Sequence, residues 1–166
     1  KEAFEKKLKE SYSGDFSIAD IKYEDENNDE LSIKMSHEIT IDGEGNSSVI
    51  YFNPMLKEGY KENLFTAAER RYPVEMPYQM DEIYNFQMEI PDGYVVDEIP
   101  KSAKVSLNGG EGFFEYLISK SDNIIMLRTR LKLEKATFLP DDYETLRNFF
   151  DYVVKKHAEQ IVFKKK

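Results

Sequence analysis

From Phe16 to Leu133 the apolar residues of this chain recur, segment after segment, at every second position. Only after Pro140 does their spacing lengthen to that of a helix. Side chains alternate across a strand and repeat every 3.6 residues on a helix, so the change of period separates a β-rich body from one late helix. The clearest segment runs from Ile124 to Leu133, with Ile125, Leu127, Thr129, Leu131 and Leu133 on one face. Strands also follow from Ala103 to Leu107 and from Gly112 to Ile118, joined by the hairpin signal Asn108-Gly109-Gly110. Glu82 to Ile90 alternates, with Ile83, Phe86, Met88 and Ile90 as its apolar set. The turn Pro91-Asp92-Gly93 then leads into a strand from Tyr94 to Ile99, which Pro100 stops.

Earlier strands are expected from Phe16 to Tyr23, from Leu31 to Ile41 and from Val49 to Phe52. In the first, the alternation slips near Ala19, which reads as a bulge. Ile161 to Phe163 reads as a last short strand. The helical stripe consists of Tyr143, Leu146, Phe149, Phe150, Val153 and Val154. It predicts a helix from about Asp142 to about Glu159, with Asp141 and Glu144 in a capping-box arrangement. Lys1 to Ser11 carries a short helical pattern. The expected fold is therefore mainly β: an antiparallel β-sandwich with a C-terminal α-helix packed on it and a short N-terminal helix. No internal repeat or low-complexity linker divides it. Residues 1–166 read as a single module with a weak seam at 53–70, where strand character is lowest.

Composition narrows the function. The formal net charge is −9, which repels phosphate backbones and sets nucleic acid aside. The Lys164-Lys165-Lys166 tail is too short to be a basic patch. There is no cysteine, hence no disulfide, thiolate metal site or thiol nucleophile. No run of about 18 apolar residues offers a membrane span. The sequence begins with Lys1, so it reads as a stretch of a longer polypeptide whose targeting signal would lie upstream.

The chemistry-bearing motifs are sparse. Asp25, Glu26, Asp29 and Glu30 lack the glycine and the bidentate glutamate of a calcium loop, and read as a solvated acidic turn. His37 and His157 are the only histidines. Too few for a nitrogen-ligated metal, they are expected in surface or edge roles, His157 on the polar flank of the helix C-terminus with a partly charged ring. No nucleophile elbow occurs. Gly109-Gly110-Glu111-Gly112 lacks the helix and lysine of a phosphate loop. Carboxylates are plentiful, but sequence spacing alone cannot pair them for glycoside hydrolysis. No metal or cofactor is expected. The candidate partner contact is Arg70, Arg71 and Tyr72, because arginine beside an aromatic side chain can anchor a partner. An intramolecular ion pair is the plainer reading of the two arginines.

One resemblance gathers several of these residues. Arg71-Tyr72-Pro73-Val74 comes first, then Pro91-Asp92-Gly93-Tyr94 with Glu98-Ile99-Pro100. Asp142-Tyr143-Glu144-Thr145-Leu146-Arg147-Asn148-Phe149-Phe150 and Ile161-Val162-Phe163-Lys164 follow. In this order and spacing the chain resembles the C-terminal β-rich domain of exported transglutaminase-like proteins of Gram-negative bacteria, best from about Asn63 to Lys166. In that family an N-terminal β-domain and a papain-like core precede this part. The catalytic Cys-His-Asp set belongs to the core, and no residue here can take it over. The resemblance implies a non-catalytic accessory domain in the periplasm or cell envelope, with the upstream domains of its own polypeptide as partners. The alternative is a saccharide- or peptide-binding module of the cell envelope, motivated by the 11 tyrosines. An independent enzyme is the remaining reading, and no motif supports it.

Overall fold

The structure, a computed structural model, describes residues 2, 3, 5, 6, 16–24, 34–41 and 47–166. The chain forms two compact units, Lys1–Ser47 and Ser48–Lys166. The boundary falls at 47/48, not in the 53–70 stretch where the sequence suggested a seam.

In the first unit, residues 2, 3, 5 and 6 are helical; the rest of the expected N-terminal helix lies outside the described residues. Strand β1 (Phe16–Glu24) pairs antiparallel with β2 (Lys34–Ile41). The register shifts between Ala19 and Lys22, and Asp20 has φ 51°. This is the bulge that the broken alternation predicted. The acidic turn from Asp25 to Glu30 also lies outside the described residues.

The second unit is built on a four-stranded antiparallel sheet in the order β5-β9-β8-β7. These strands are β5 (Met80–Glu89), β7 (Ala103–Leu107), β8 (Gly112–Ser121) and β9 (Ile124–Leu133). Ile125, Leu127, Thr129, Leu131 and Leu133 are all buried, as their alternation requires. Opposite them on β8 stand Phe114, Tyr116 and Ile118, also buried. The β7–β8 hairpin turns through Asn108 and Gly109, with φ of 43° and 64°, the left-handed conformation that a tight hairpin demands.

A three-stranded sheet is formed by β3 (Val49–Phe52), β6 (Tyr94–Glu98) and β11 (Ile161–Lys165), with the C-terminal β11 in the middle. A two-stranded ribbon joins β4 (Val74–Glu75) to β10 (Thr137–Phe138). No strand signal marks β10, because two residues cannot show a period.

The single helix of this unit, α1, spans Tyr143–His157. The expected capping box does not form. A 3-10 turn at Pro140–Asp142 leads into the helix, and neither Asp142 nor Leu139 makes a side-chain cap. The acidic first turn still favours the helix N-terminus electrostatically. Tyr143, Leu146, Phe149, Phe150 and Val153 are buried in one hydrophobic cluster with both larger sheets. The fold is thus mainly β and antiparallel, with a C-terminal helix, as expected.

The stretch after β3 looked loose because it lacks periodicity, yet it is tied to α1 by two asparagines. Asn53 Oδ1 accepts from Met55 N–H at 2.8 Å, and its Nδ2 donates to the His157 carbonyl at 2.9 Å. Asn63 repeats the device. Its Oδ1 accepts from Phe65 N–H at 2.8 Å, while Nδ2 donates to Arg147 O at 2.9 Å and Asp151 Oδ1 at 2.8 Å. Met55 and Phe65 are thereby delivered into the core. Asn63→Ala is expected to lower the urea unfolding free energy by about 1–3 kcal/mol and to speed proteolytic cleavage between residues 53 and 68. A change below about 0.5 kcal/mol, the range of ordinary surface substitutions, would contradict this account of the loop.

Candidate functional site

His157 is the most unusual titratable group in the second unit. It sits at the end of α1 but faces inward and is only 5% exposed. Its ring stacks on Tyr60 at 5.9 Å and meets Phe114 edge-on at 5.3 Å. Nδ1 accepts from the Tyr60 N–H at 3.1 Å. Burial pushes its pKa down to about 4. The expected polar, partly charged His157 is therefore corrected: the ring is neutral and contributes no charge to the helix end. The stripe analysis missed this because the hydrophobic face of α1 extends through its last residue. Gly59 makes the approach feasible, since a Cβ there would lie 3.2 Å from the His157 Cβ.

Because Nδ1 is an acceptor, the proton of the neutral ring resides on Nε2. Nε2 is buried and has no hydrogen-bond partner among the described residues. The Tyr116 hydroxyl is in the same position, with burial pushing its pKa up. Lys156 Nζ lies 5.0 Å from the Tyr116 ring centre and pairs with Glu159 at 2.5 Å.

His157 lines a cleft of about 430 Å³ with Met55, Glu58, Tyr60, Glu82, Ile83, Tyr84, Thr129 and Leu131. Tyr60 Oη donates to Glu82 Oε2 at 2.8 Å, and Tyr84 Oη donates to Pro54 O at 3.0 Å. Burial, helped by the Glu82 carboxylate, holds the Tyr60 phenol protonated. Among the described residues no cluster of three His, Asp or Glu side chains could hold a metal ion.

The second feature is the face of the four-stranded sheet turned away from α1. Leu117, Met126 and Ile83 lie here and are 45%, 41% and 51% exposed. The apolar assignment of Ile83 to the inner set is therefore corrected: it pairs with outward Arg130, while Tyr84, Phe86 and Met88 face inward with Thr129, Leu127 and Ile125. Charged pairs run across the same face, between Ile83 and Leu117. Arg130 grips Asp81 with two bonds of 2.8 Å and lies 5.4 Å from the Phe113 ring centre. Lys104 meets Glu115 at 2.5 Å, and Arg128 approaches the same carboxylate at 3.7 Å. These hydrogen-bonded cations hold the Asp81 and Glu115 carboxyls below the usual range. Beside them Asn85, Gln87, Leu117, Ser119, Met126 and Arg128 line a shallow hollow of about 420 Å³. Arg128 and Arg130 on the central strand β9 separate Ile83 from Leu117 and Met126, which lie together at the hollow.

The candidate contact Arg70, Arg71 and Tyr72 lies just before β4. Arg70 stacks over the Tyr143 ring at 5.5 Å, an intramolecular role but not the ion pair expected. Arg71 is exposed, and Tyr72 is 81% exposed. None of the three lines the cleft or the hollow on the outer sheet face. His37 lies on β2, in the other unit.

Comparison with known proteins places this geometry. A family model for DUF3858, a domain of unknown function with a solved structure, matches residues 48–163. The chain belongs to the DUF3858 family. The match begins where the second unit begins, so the cleft and the outer sheet face both lie within the DUF3858 domain. A search of curated proteins returned no match. Among solved structures, the crystal structure of a putative protease from Parabacteroides distasonis aligns with a TM-score of 0.53 and 14% identity. The alignment covers 93% of this chain and 24% of that protein, and at this identity it speaks for the fold.

The buried imidazole gives this DUF3858 domain a measurable acid response. Above about pH 6.5 the ring is neutral folded or unfolded. Between about pH 6.5 and 4 only the unfolded chain takes up the proton, so stability falls as pH falls, by about 3 kcal/mol in all. Below about pH 4 both states are protonated and this contribution no longer changes. An NMR titration is expected to find the His157 imidazole midpoint near pH 4. A midpoint near the ordinary value of about 6.5 would overturn the buried, neutral assignment.

Proposed function

We propose that this chain is a non-catalytic accessory module of an exported, transglutaminase-like protein, which docks on the catalytic-type core and orients it. The observation that carries the reading is the outer sheet face. Leu117 and Met126 stand exposed on the neighbouring strands β8 and β9 with fixed ion pairs beside them, while the opposite face is filled. A layer of another domain laid on this face would bury Leu117 and Met126 and lie over the already neutralised pairs of Arg130 with Asp81 and Lys104 with Glu115. Hydrophobic burial of this kind is worth about 1.5–3 kcal/mol per fully covered side chain. The absence of cysteine from the sequence agrees with a module whose chemistry is done elsewhere. The much longer Parabacteroides distasonis protein agrees with a module that accompanies other domains. Location in the periplasm or cell envelope, and the upstream domains as partners, follow from the resemblance to the transglutaminase-like family.

A second reading, a saccharide- or peptide-binding module of the cell envelope, has its own support. Tyr51, Tyr72 and Tyr78 are exposed, and tyrosine rings offer flat apolar faces for stacking.

The two readings separate on one experiment. The transglutaminase-like core and this chain are produced apart and mixed. Docking predicts a complex that Leu117→Glu with Met126→Glu abolishes, while the isolated variant keeps its melting temperature. The same pair in the intact protein lowers its hydrolytic activity. No complex with the parent chain, together with activity indifferent to deletion of the module, would sink the docking reading. Retention on peptidoglycan in that case would leave the second reading in front.

A further inference from the structure

We infer that the free edge of β5 is a pairing site for a second copy of this chain, which lays its own β5 antiparallel alongside and joins the two sheets into one. This goes beyond the docking reading, which concerns the face of the sheet and not its edge. β5 and β7 are the outer strands of the order β5-β9-β8-β7. An outer strand presents a row of unpaired N–H and C=O groups, and proteins guard such rows with short strands, lysines, prolines, bulges or a covering element. β7 is guarded: it has five residues, carries Lys104 and lies against α1. β5 is not. It runs for ten residues without proline, lysine or arginine, and its register with β9 is unbroken from Met80 to Glu89.

The groups that face outward can be named. Ile90 N–H donates to Asn123 O at 2.8 Å, one step beyond the pair of Glu89 with Ile124. Hydrogen-bonded and non-hydrogen-bonded pairs alternate along an antiparallel ladder. Counting back from Ile90, the even-numbered residues of β5 bond to β9, while Asp81, Ile83, Asn85, Gln87 and Glu89 aim their main-chain groups away from it. All five are exposed, and these outward groups have no hydrogen-bond partner among the described residues. The inner side of the strand agrees. Met80, Phe86 and Met88 are half-buried, whereas Leu133, Leu127 and Ile125 opposite them on β9 are 0%, 2% and 0% exposed. One more strand would cover that open flank.

The pattern of β5 suits its own copy. Outward-bonding residues must oppose one another, and two registers overlap the strands most fully. Centred on Asn85, the pairing sets Asp81 against Glu89 twice, and like charges directly opposite are destabilising. Centred on Tyr84, it sets Met80 against Met88, Asp81 against Gln87, Glu82 against Phe86 and Ile83 against Asn85. No two carboxylates then oppose each other, and Met80 and Met88 continue the inner face across the junction. The second register is therefore the one assigned.

The test uses the full chain. Sedimentation in the micromolar range is expected to show a monomer–dimer equilibrium. Gln87 is exposed, so its variants should keep the parent melting temperature. Gln87→Glu opposes a second carboxylate to Asp81 at two symmetric places and should weaken the dimer about threefold, whereas Gln87→Lys should tighten it by about as much. The chain has no cysteine, so introduced thiols report the register. Ile83→Cys together with Asn85→Cys should oxidise to a covalent dimer, because the Cα separation of about 5.5 Å in a hydrogen-bonded pair suits a disulfide. Asn85→Cys alone should not. A covalent dimer from Asn85→Cys alone would overturn the assigned register. A dimer that ignores both Gln87 variants and forms no cross-link would lie elsewhere and overturn the edge. A chain that stays monomeric and uncross-linked would overturn the second copy as occupant. If the Asn85 amide were then protected from hydrogen exchange only beside the transglutaminase-like core, the edge would belong to a strand of that core.

Discussion

The second unit depends on the ring contacts that α1 makes with the stretch from Asn53 to Ala68 and with Phe114 on β8. Phe150 meets Phe65 at 5.0 Å and Tyr60 at 6.0 Å, while Phe114 meets His157 at 5.3 Å and Tyr152 at 6.4 Å. Edge-to-face pairs of this kind add to the area they bury. Truncating one such ring to alanine typically costs about 3–5 kcal/mol, a large part of a domain's whole stability. The same packing fixes the stretch from Asn53 to Ala68, because its asparagines bond to α1 and to nothing else as distant in the chain. It also fixes the cleft, whose floor includes the last residue of α1.

Filling one side of a sheet determines the character of the other. The alternation that sends Leu127, Thr129 and Leu131 inward sends Met126, Arg128 and Arg130 outward. On an acidic chain this gives β9 a row of cations, and Asp81 and Glu115 from the flanking strands neutralise most of it. The ion pairs are exposed and each contributes little to stability. Their effect is to hold long side chains in place beside Ile83, Leu117 and Met126. The outer face is therefore held in one arrangement, which would reduce the entropy lost if another domain docked there as proposed.

Much of this was legible in the sequence where burial is one-sided. Ile124 to Leu133 showed its face because every inward position is apolar or threonine. The bulge near Ala19 showed as a break in phase, and α1 as a stripe. What stayed hidden depends on contacts between distant segments. Ile83 looked like a core residue, yet the β5 register with β9 turns it outward and brings Glu82 to the inner side at the mouth of the cleft. His157 looked polar because a histidine at a helix end usually is. Its burial is set by Gly59 and Tyr60, almost a hundred residues away, and no local pattern announces that approach. The two-residue ribbon of β4 and β10 is too short for any period. The contact proposed at Arg70, Arg71 and Tyr72 rested on residue type alone, which says where an anchor could stand but not whether a surface surrounds it.

The account turns on the outer sheet face being the surface that another domain covers, and the cysteine-free sequence makes this directly measurable. A single thiol is introduced by Leu117→Cys, and a second variant carries Tyr72→Cys. Each is reacted with a maleimide in the isolated chain and in the chain joined to the transglutaminase-like core that the proposal assigns to it. The account predicts that the thiol at position 117 reacts readily in isolation and at least tenfold more slowly in the joined protein, while the thiol at position 72 reacts alike in both; tenfold corresponds to about 1.4 kcal/mol of protection. Equal reactivity of the position 117 thiol in the two settings would contradict it.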